Sequence, residues 1–277
     1  LIGGNLPTCF CAHCVAKGEA RNIDVAAAKA GFQRLWDFAQ RSPSGSPDLS
    51  GRDGALTEFL RLLVEFPAVL QWEKLWVDSV LEYQRHLHQR VKSADPRLPL
   101  GVHVWQGASW GLLHRAEVLY ERLAECADWI KPVLYDKPGG VRFIESYARQ
   151  CHAALFGQAP FEDTVRFLLA AQGLPADRGV QALMAEGFTP DYVRQETRRA
   201  KAAAGDRCEV YPGIGIDVQV PPTVNWSYPE MRPADVIASI QAAAEGGAKG
   251  FVLSVSYAQM RLESLAAVGE AVRRVAQ

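Results

Sequence analysis

Cys9, Cys11 and Cys14 place three thiols within six residues, in the pattern Cys-x-Cys-x-x-Cys. Zinc takes four soft donors tetrahedrally, so this spacing supplies three of the four ligands of a closed structural site. His13 adjoins Cys14, which makes it awkward for both to reach one ion, and the fourth ligand is expected upstream. The alternative is three free thiols in a loop; a thiol nucleophile lacks an evident base nearby. Cys126, Cys151 and Cys208 are scattered, which reads as buried thiols and not as a disulfide framework.

The other chemistry-bearing side chains meet only if strands bring them together. Four short apolar runs, 98–105, 128–135, 209–218 and 250–255, are each followed by a loop and a helical pattern, the signature of βαβ units and a parallel sheet. Alternate residues of a strand share a face. Gly101, His103 and Trp105 then oppose Leu100, Val102 and Val104, and Lys131, Val133 and Tyr135 oppose Ile130, Pro132 and Leu134. Likewise Tyr211, Gly213, Gly215 and Asp217 oppose Pro212, Ile214, Ile216 and Val218, and Val252, Ser254 and Ser256 oppose Phe251, Leu253 and Val255. Each run has an apolar face for helices and a second face that turns polar toward its C-terminal end, where barrel enzymes hold their active sites.

Asp217, inward-facing at the end of the third run, is the first catalytic candidate, and Asp136, one residue past Tyr135, the second. Glycosidases need two carboxyl groups, about 5–5.5 Å apart for retention or about 6.5–9.5 Å for inversion. His103 and Lys131 are placed to bind sugar hydroxyls or to favour an ionised carboxylate nearby. Trp105, Gln106, Tyr135, Trp226, Ser254 and Tyr257 complete the expected substrate-binding set, since aromatic rings with polar edges suit pyranose faces. Against this, buried polar groups also form satisfied structural networks, and tryptophan is ordinary core filler. Asp128 and Glu209 lie at the opposite strand ends, where charges cap. No G-x-S-x-G elbow surrounds the serines, so a serine hydrolase is not indicated.

The positioning elements are helices. Asp24 is a candidate N-cap for a helix over 25–40, the stretch 42–54 is rich in Ser, Pro and Gly, and helical spacing covers 56–93 with a pause at Pro67. Further helices are expected over 112–126, in pieces within 141–204, and over 233–245 and 257–275. Residues 1–97 thus read as the cysteine loop plus helices, and 98–277 as four βα units. A full barrel takes about 250 residues or more. The expected fold is therefore α/β, the C-terminal half of a (β/α)8 TIM-type barrel, with strands one to four upstream of Leu1. A complete open sheet of four strands is the alternative.

Thirty Lys+Arg against 31 Asp+Glu leave a net charge of −1, which provides no electrostatic footprint for nucleic acid or an anionic membrane. No apolar run is long enough to span a bilayer. No organic cofactor motif stands out.

The cysteine trio just before a helix resembles the zinc cluster of family 42 β-galactosidases. The segments 128–135, 209–218 and 247–254 are similar to an uncharacterised bacterial group of glycoside-hydrolase-like barrels, a likeness that covers nearly the whole chain. The family 42 resemblance implies a structural zinc on Cys9, Cys11 and Cys14 and an acid/base glutamate just before Leu1. It also implies a nucleophile at the end of strand seven, where the family has glutamate and this chain has Asp217. The bacterial group implies Arg and Lys within 254–257, where this chain has Val255 and Ser256. Three functions follow as expectations: a glycosidase-like hydrolase, a non-catalytic carbohydrate-binding barrel, or a lyase or isomerase using Lys131.

Overall fold

The computed structural model describes residues 8–40, 53–254 and 257–277. The first third is helical: α1 (Ala12–Glu19), α2 (Val25–Gln40), α3 (Ala55–Glu65) and α4 (Ala68–Ala94), with no strand among the described residues. Asp24 caps α2 as expected, its Oδ1 accepting the Ala27 N–H at 2.9 Å. Pro67, which lacks a backbone N–H, separates α3 from α4. The expected loop over 1–23 needs correction, because α1 begins directly after Cys11. Packing holds that helix: Phe10 stacks on Trp72 at 4.6 Å, and a Cβ on Gly18 would fall 2.5 Å from the Trp72 ring. Ile23, Ala28, Phe32, Leu35, Val69 and Leu75 complete this core.

The remaining chain alternates strands and helices. In order come β1 (Gly101–Val104), α5 (Gly107–Trp110), α6 (Leu112–Glu117), α7 (Tyr120–Leu123), β2 (Trp129–Pro132) and α8 (Asp136–Phe143). Helix α8 runs on through π turns at Ile144–Ala148 and His152–Phe156, either side of α9 (Arg149–Cys151). Then follow α10 (Phe161–Ala170), α11 (Val180–Glu186), α12 (Pro190–Ala204), β3 (Glu209–Val210), β4 (Gly213–Gly215), α13 (Pro233–Glu245), β5 (Val252–Ser254) and α14 (Leu262–Val275). All strand pairs are parallel. β1 pairs with β2 in the register His103↔Lys131, β2 with β3, and β4 with β5 in the register Ile214↔Leu253.

Pro212 interrupts the third run and divides it into β3 and β4, since proline cannot donate to a ladder. A parallel bridge between Val133 and Gly213 rejoins the pieces. The four runs therefore lie side by side in chain order, and the described strands form no closed barrel. Alternation holds along β1 to β3, whereas β4 is buried throughout and in β5 it is Ser254, of the expected polar face, that is buried. Val102, Val104, Ile130, Val210, Ile214 and Ile216 are buried, with Leu81, Tyr120, Leu123, Ala200 and Ala204 of the helices packed in the same core as β1 to β3. Each such side chain contributes about 1.5–3 kcal/mol on burial.

Gly187 ends α11 with φ +71 and ψ −162, a region essentially reserved for glycine. The turn brings the Phe188 N–H to the Asp136 carbonyl at 2.9 Å, and a Cβ would lie 2.4 Å from the Lys137 carbonyl oxygen. Gly205 has φ +62 but open space around it. Gly205→Ala is expected to cost about 1–3 kcal/mol from backbone strain, and Gly187→Ala distinctly more, because backbone atoms must also move. Urea denaturation of the two variants measures the difference; equal losses would mean that the crowding at Gly187 relaxes freely.

Candidate functional site

The face of the strands away from the helices is built from glycines and rings. A Cβ on Gly101 would meet the Trp129 ring at 2.1 Å, one on Gly215 the Tyr135 side chain at 2.8 Å, and one on Gly250 the Tyr211 ring at 2.9 Å. Trp129 and Tyr211 meet edge to face at 5.8 Å. Only glycine allows rings from a neighbouring strand to lie against the backbone in this way. His103 and Lys131 sit side by side in the β1–β2 register on the same face. Lys131 extends toward the C-terminal end, its Cε 2.9 Å and the Tyr135 Cε1 3.4 Å from where a Gly213 Cβ would stand. Partial burial lowers the Lys131 amine below its ordinary range. Burial, then the Lys131 charge, lowers His103.

At the C-terminal ends a polar network takes over. Gln106, 1% exposed, donates through Nε2 to the Tyr135 carbonyl at 2.8 Å and accepts from Arg142 Nη1 at 3.1 Å. Arg142 Nε donates to the Tyr228 hydroxyl at 2.9 Å, and its guanidinium lies 5.5 Å from the Tyr135 ring centre and 5.1 Å from that of Tyr228. Beside Tyr228 is a cavity of about 360 Å³ lined by Lys137, Gly215, Asp217, Ser227, Tyr228, Glu230 and Arg261, among others. Lys137 pairs with Asp235 at 3.2 Å.

Asp217 lines this cavity, but alternation stops before it. Its φ of +50 turns the chain into the left-handed region. Its Oδ2 accepts the Arg261 N–H at 2.9 Å and its Oδ1 the Arg261 Nε at 3.0 Å. The carboxylate is thus held by the residue that opens α14, beyond the extended stretch from which its face was read. Arg261 also donates to Glu230 at 2.6 Å.

Asp136 departs further from expectation. It is 0% exposed, with Oδ2 accepting from Ser239 on α13 at 2.7 Å and Oδ1 buried without a partner. As the first residue of α8 its side chain turns under the helix layer, not to the rim. Burial pushes it up to about 6.

The other expected residues divide. Gln106, Lys131 and Tyr135 come together, with His103 beside Lys131. Trp105 is exposed and packs edge-on to His114 at 5.6 Å; near it, burial and the neighbouring Glu117 raise Glu73 to about 7. Trp226 is partly buried with its Nε1 unpartnered. Ser254 donates to the Ile214 carbonyl at 3.3 Å, a contact between strands, and Tyr257 is 82% exposed. Val255 and Ser256 lie outside the described residues.

Sequence reasoning missed Arg142, Lys137 and Arg261. Gly139-Gly140 disguises the start of α8; a Cβ there would lie 2.7 Å from Gln106 Nε2 or from the Gly187 Cα, so both glycines admit close packing within a helix. A cation two turns into a helix that directly follows a strand was the available signal.

The cysteine expectation fares well in geometry. The Sγ atoms of Cys9, Cys11 and Cys14 all lie within 4.8 Å of one another, close enough to ligate one ion, and His13 is not part of the cluster. The Cys14 backbone N–H, then the neighbouring thiols, lower Cys11 to about 7, while burial, then those thiols, raise Cys14 to about 11. Cys11 sits at the N-terminus of α1, where helix amides favour a thiolate.

The Asp136 shift sets a pH dependence. Its folded value, near 6, exceeds the ordinary 3.8, so its contribution to stability is fully present below pH 4 and is lost as pH rises through 6. Asp136→Asn, which keeps an acceptor for Ser239, is expected to gain on the wild type by about 2 kcal/mol between pH 4 and pH 7. Denaturation midpoints at the two pH values measure this, and parallel behaviour of both proteins would show that the carboxyl titrates normally.

Compared with protein-family models, curated proteins and solved structures, the chain has no match.

Proposed function

We propose that this chain is the strand-five-to-eight half of a glycoside-hydrolase-like (β/α)8 barrel, and that its rim binds carbohydrate. One observation carries the reading: parallel strands in chain order, covered by helices on one face, end in a cavity where Tyr228, Lys137 and Asp217 converge. All-parallel sheets are covered on both faces, and the glycine-and-ring face with exposed His103 is the one that further strands would enclose. Tyrosine faces and ionic hydrogen-bond partners are what a pyranose requires, a C–H face and a rim of hydroxyls.

Binding is favoured over hydrolysis by the state of the carboxylates. Asp136 does not reach the rim, and Asp217 and Glu230 share Arg261. The hydrolytic reading keeps one support, the position of Asp217 in the cavity lining. In this reading Cys9, Cys11 and Cys14 hold a structural zinc, supported by their mutual distances, which would fasten the segment before α1 to the α2–α4 core.

Calorimetric titration with a panel of mono- and oligosaccharides is expected to show binding that Tyr228→Ala weakens at least tenfold, roughly the loss of one stacked ring and its hydrogen bond. Asp217→Asn is expected to retain binding within a few fold. Absence of binding to every sugar would remove the proposal; hydrolysis of nitrophenyl glycosides that Asp217→Asn abolishes would install Asp217 as nucleophile or base instead. Elemental analysis is expected to find about one zinc per chain, lost in Cys11→Ser, and a folded protein free of metal would refute the zinc site.

A further inference from the structure

Most cations around the strand ends have a carboxylate: Lys137 has Asp235, Arg261 has Asp217, and Arg115 and Arg199 share Glu196. Lys131 and Arg142 do not. Both are partly buried, and among the described residues no carboxylate lies within ion-pair distance of either. They flank one side chain, Tyr135. Lys131 reaches up beside Tyr135 at Gly213, and Arg142 lies over the Tyr135 ring.

The partners of Arg142 are neutral. Nε donates to a tyrosine hydroxyl and Nη1 to an amide oxygen, so the charge is oriented and left unneutralised, while Nη2 remains for another acceptor. A guanidinium fixed in this way still offers its Nη2 N–H groups to an anionic oxygen as charge-assisted donors. Taking two cations partly out of water is unfavourable unless an anion offsets it. Gln106 is itself fixed by the Tyr135 carbonyl, so the surface around Tyr135, beside the cavity, is organised before any ligand arrives.

We propose that the surface around Tyr135 recognises the carboxylate of an acidic sugar, a hexuronate, with Arg142 and Lys131 binding the anion and the Tyr135 and Tyr228 rings flanking the pyranose. This rests on the carbohydrate reading and narrows it to uronate-bearing glycans. His103, beside Lys131, supplies a ring nitrogen for a hydroxyl.

The test is titration of the protein with glucuronate and galacturonate, their neutral counterparts glucose and galactose, and inorganic sulfate, at low and high salt. Uronates are expected to bind at least about tenfold more tightly than the neutral sugars, the loss that follows removal of one charged hydrogen-bonding partner, and the preference is expected to shrink with salt. Arg142→Gln and Lys131→Gln, each checked for native circular dichroism, are expected to abolish the preference, and Arg142→Lys to keep part of it. Lys131 lies on the open face, so Lys131→Gln remains informative if Arg142→Gln fails to fold. Equal binding of neutral sugars would overturn the uronate inference and leave the carbohydrate reading standing. Binding of no sugar would overturn both, and sulfate binding as tightly as uronate would reduce the site to a simple anion hole and overturn the inference.

Discussion

The Tyr135 side chain lies against Gly213 and Gly215, and the rim of the sheet is built on that contact. Two strands meet there without a side chain between them, which lets the Tyr135 backbone stay close enough for Gln106 to take its carbonyl. With Gln106 fixed, Arg142 has a defined acceptor, and with Arg142 fixed, Tyr228 is drawn in from the loop before α13. Each step uses a buried or partly buried polar group whose hydrogen bond must be made, because leaving it unmade costs about 1–3 kcal/mol. A side chain at either glycine would push the ring outward and disturb the whole sequence of contacts.

The same small-against-large principle extends along the sheet, with Trp129 over Gly101 and Tyr211 over Gly250. The opposite face is filled by branched aliphatics, Val102, Val104, Ile130 and Val210 among them. Helices α4, α7 and α12 reach the strands through the apolar face. The open face carries Gly101, Gly213 and Gly215, the Trp129, Tyr135 and Tyr211 rings, and His103 and Lys131, beside Val133 and Val252.

Much of this was legible because alternation is a hard geometric rule. The burial of Val102, Val104, Ile130 and Ile214 follows from it, as does the shared face of His103 and Lys131. The rule fails where the backbone leaves extended geometry. Asp217 adopts φ +50, and nothing in the residues around it announces that its carboxylate turns to Arg261, 44 positions on. Asp136 misled for a related reason: one residue past a strand it is already the first of a helix, so its side chain obeys helical directions and points beneath α13. The glycine pair at 139–140 reads as a loop in sequence, yet both residues are helical, Gly139 packed against the Gln106 and Phe188 side chains and Gly140 against the Gly187 backbone. α1 was hidden in the same way, since its stability comes from Trp72 and Phe10, contacts that local propensity does not record.

Charge placement gives the last link between fold and site. Among the helices, the buried carboxylate of Glu196 is matched by both Arg115 and Arg199, while that of Asp136 is held by the Ser239 hydroxyl. At the strand ends Lys137 and Arg261 are paired with Asp235 and Asp217, while Lys131 and Arg142 stand partly buried beside one tyrosine with no carboxylate partner among the described residues. Arg142 is oriented instead by neutral partners, the Tyr228 hydroxyl and the Gln106 amide oxygen. Stability is conceded at the rim and recovered beneath it, where Ile214, Ile216 and Ile240 share one buried cluster.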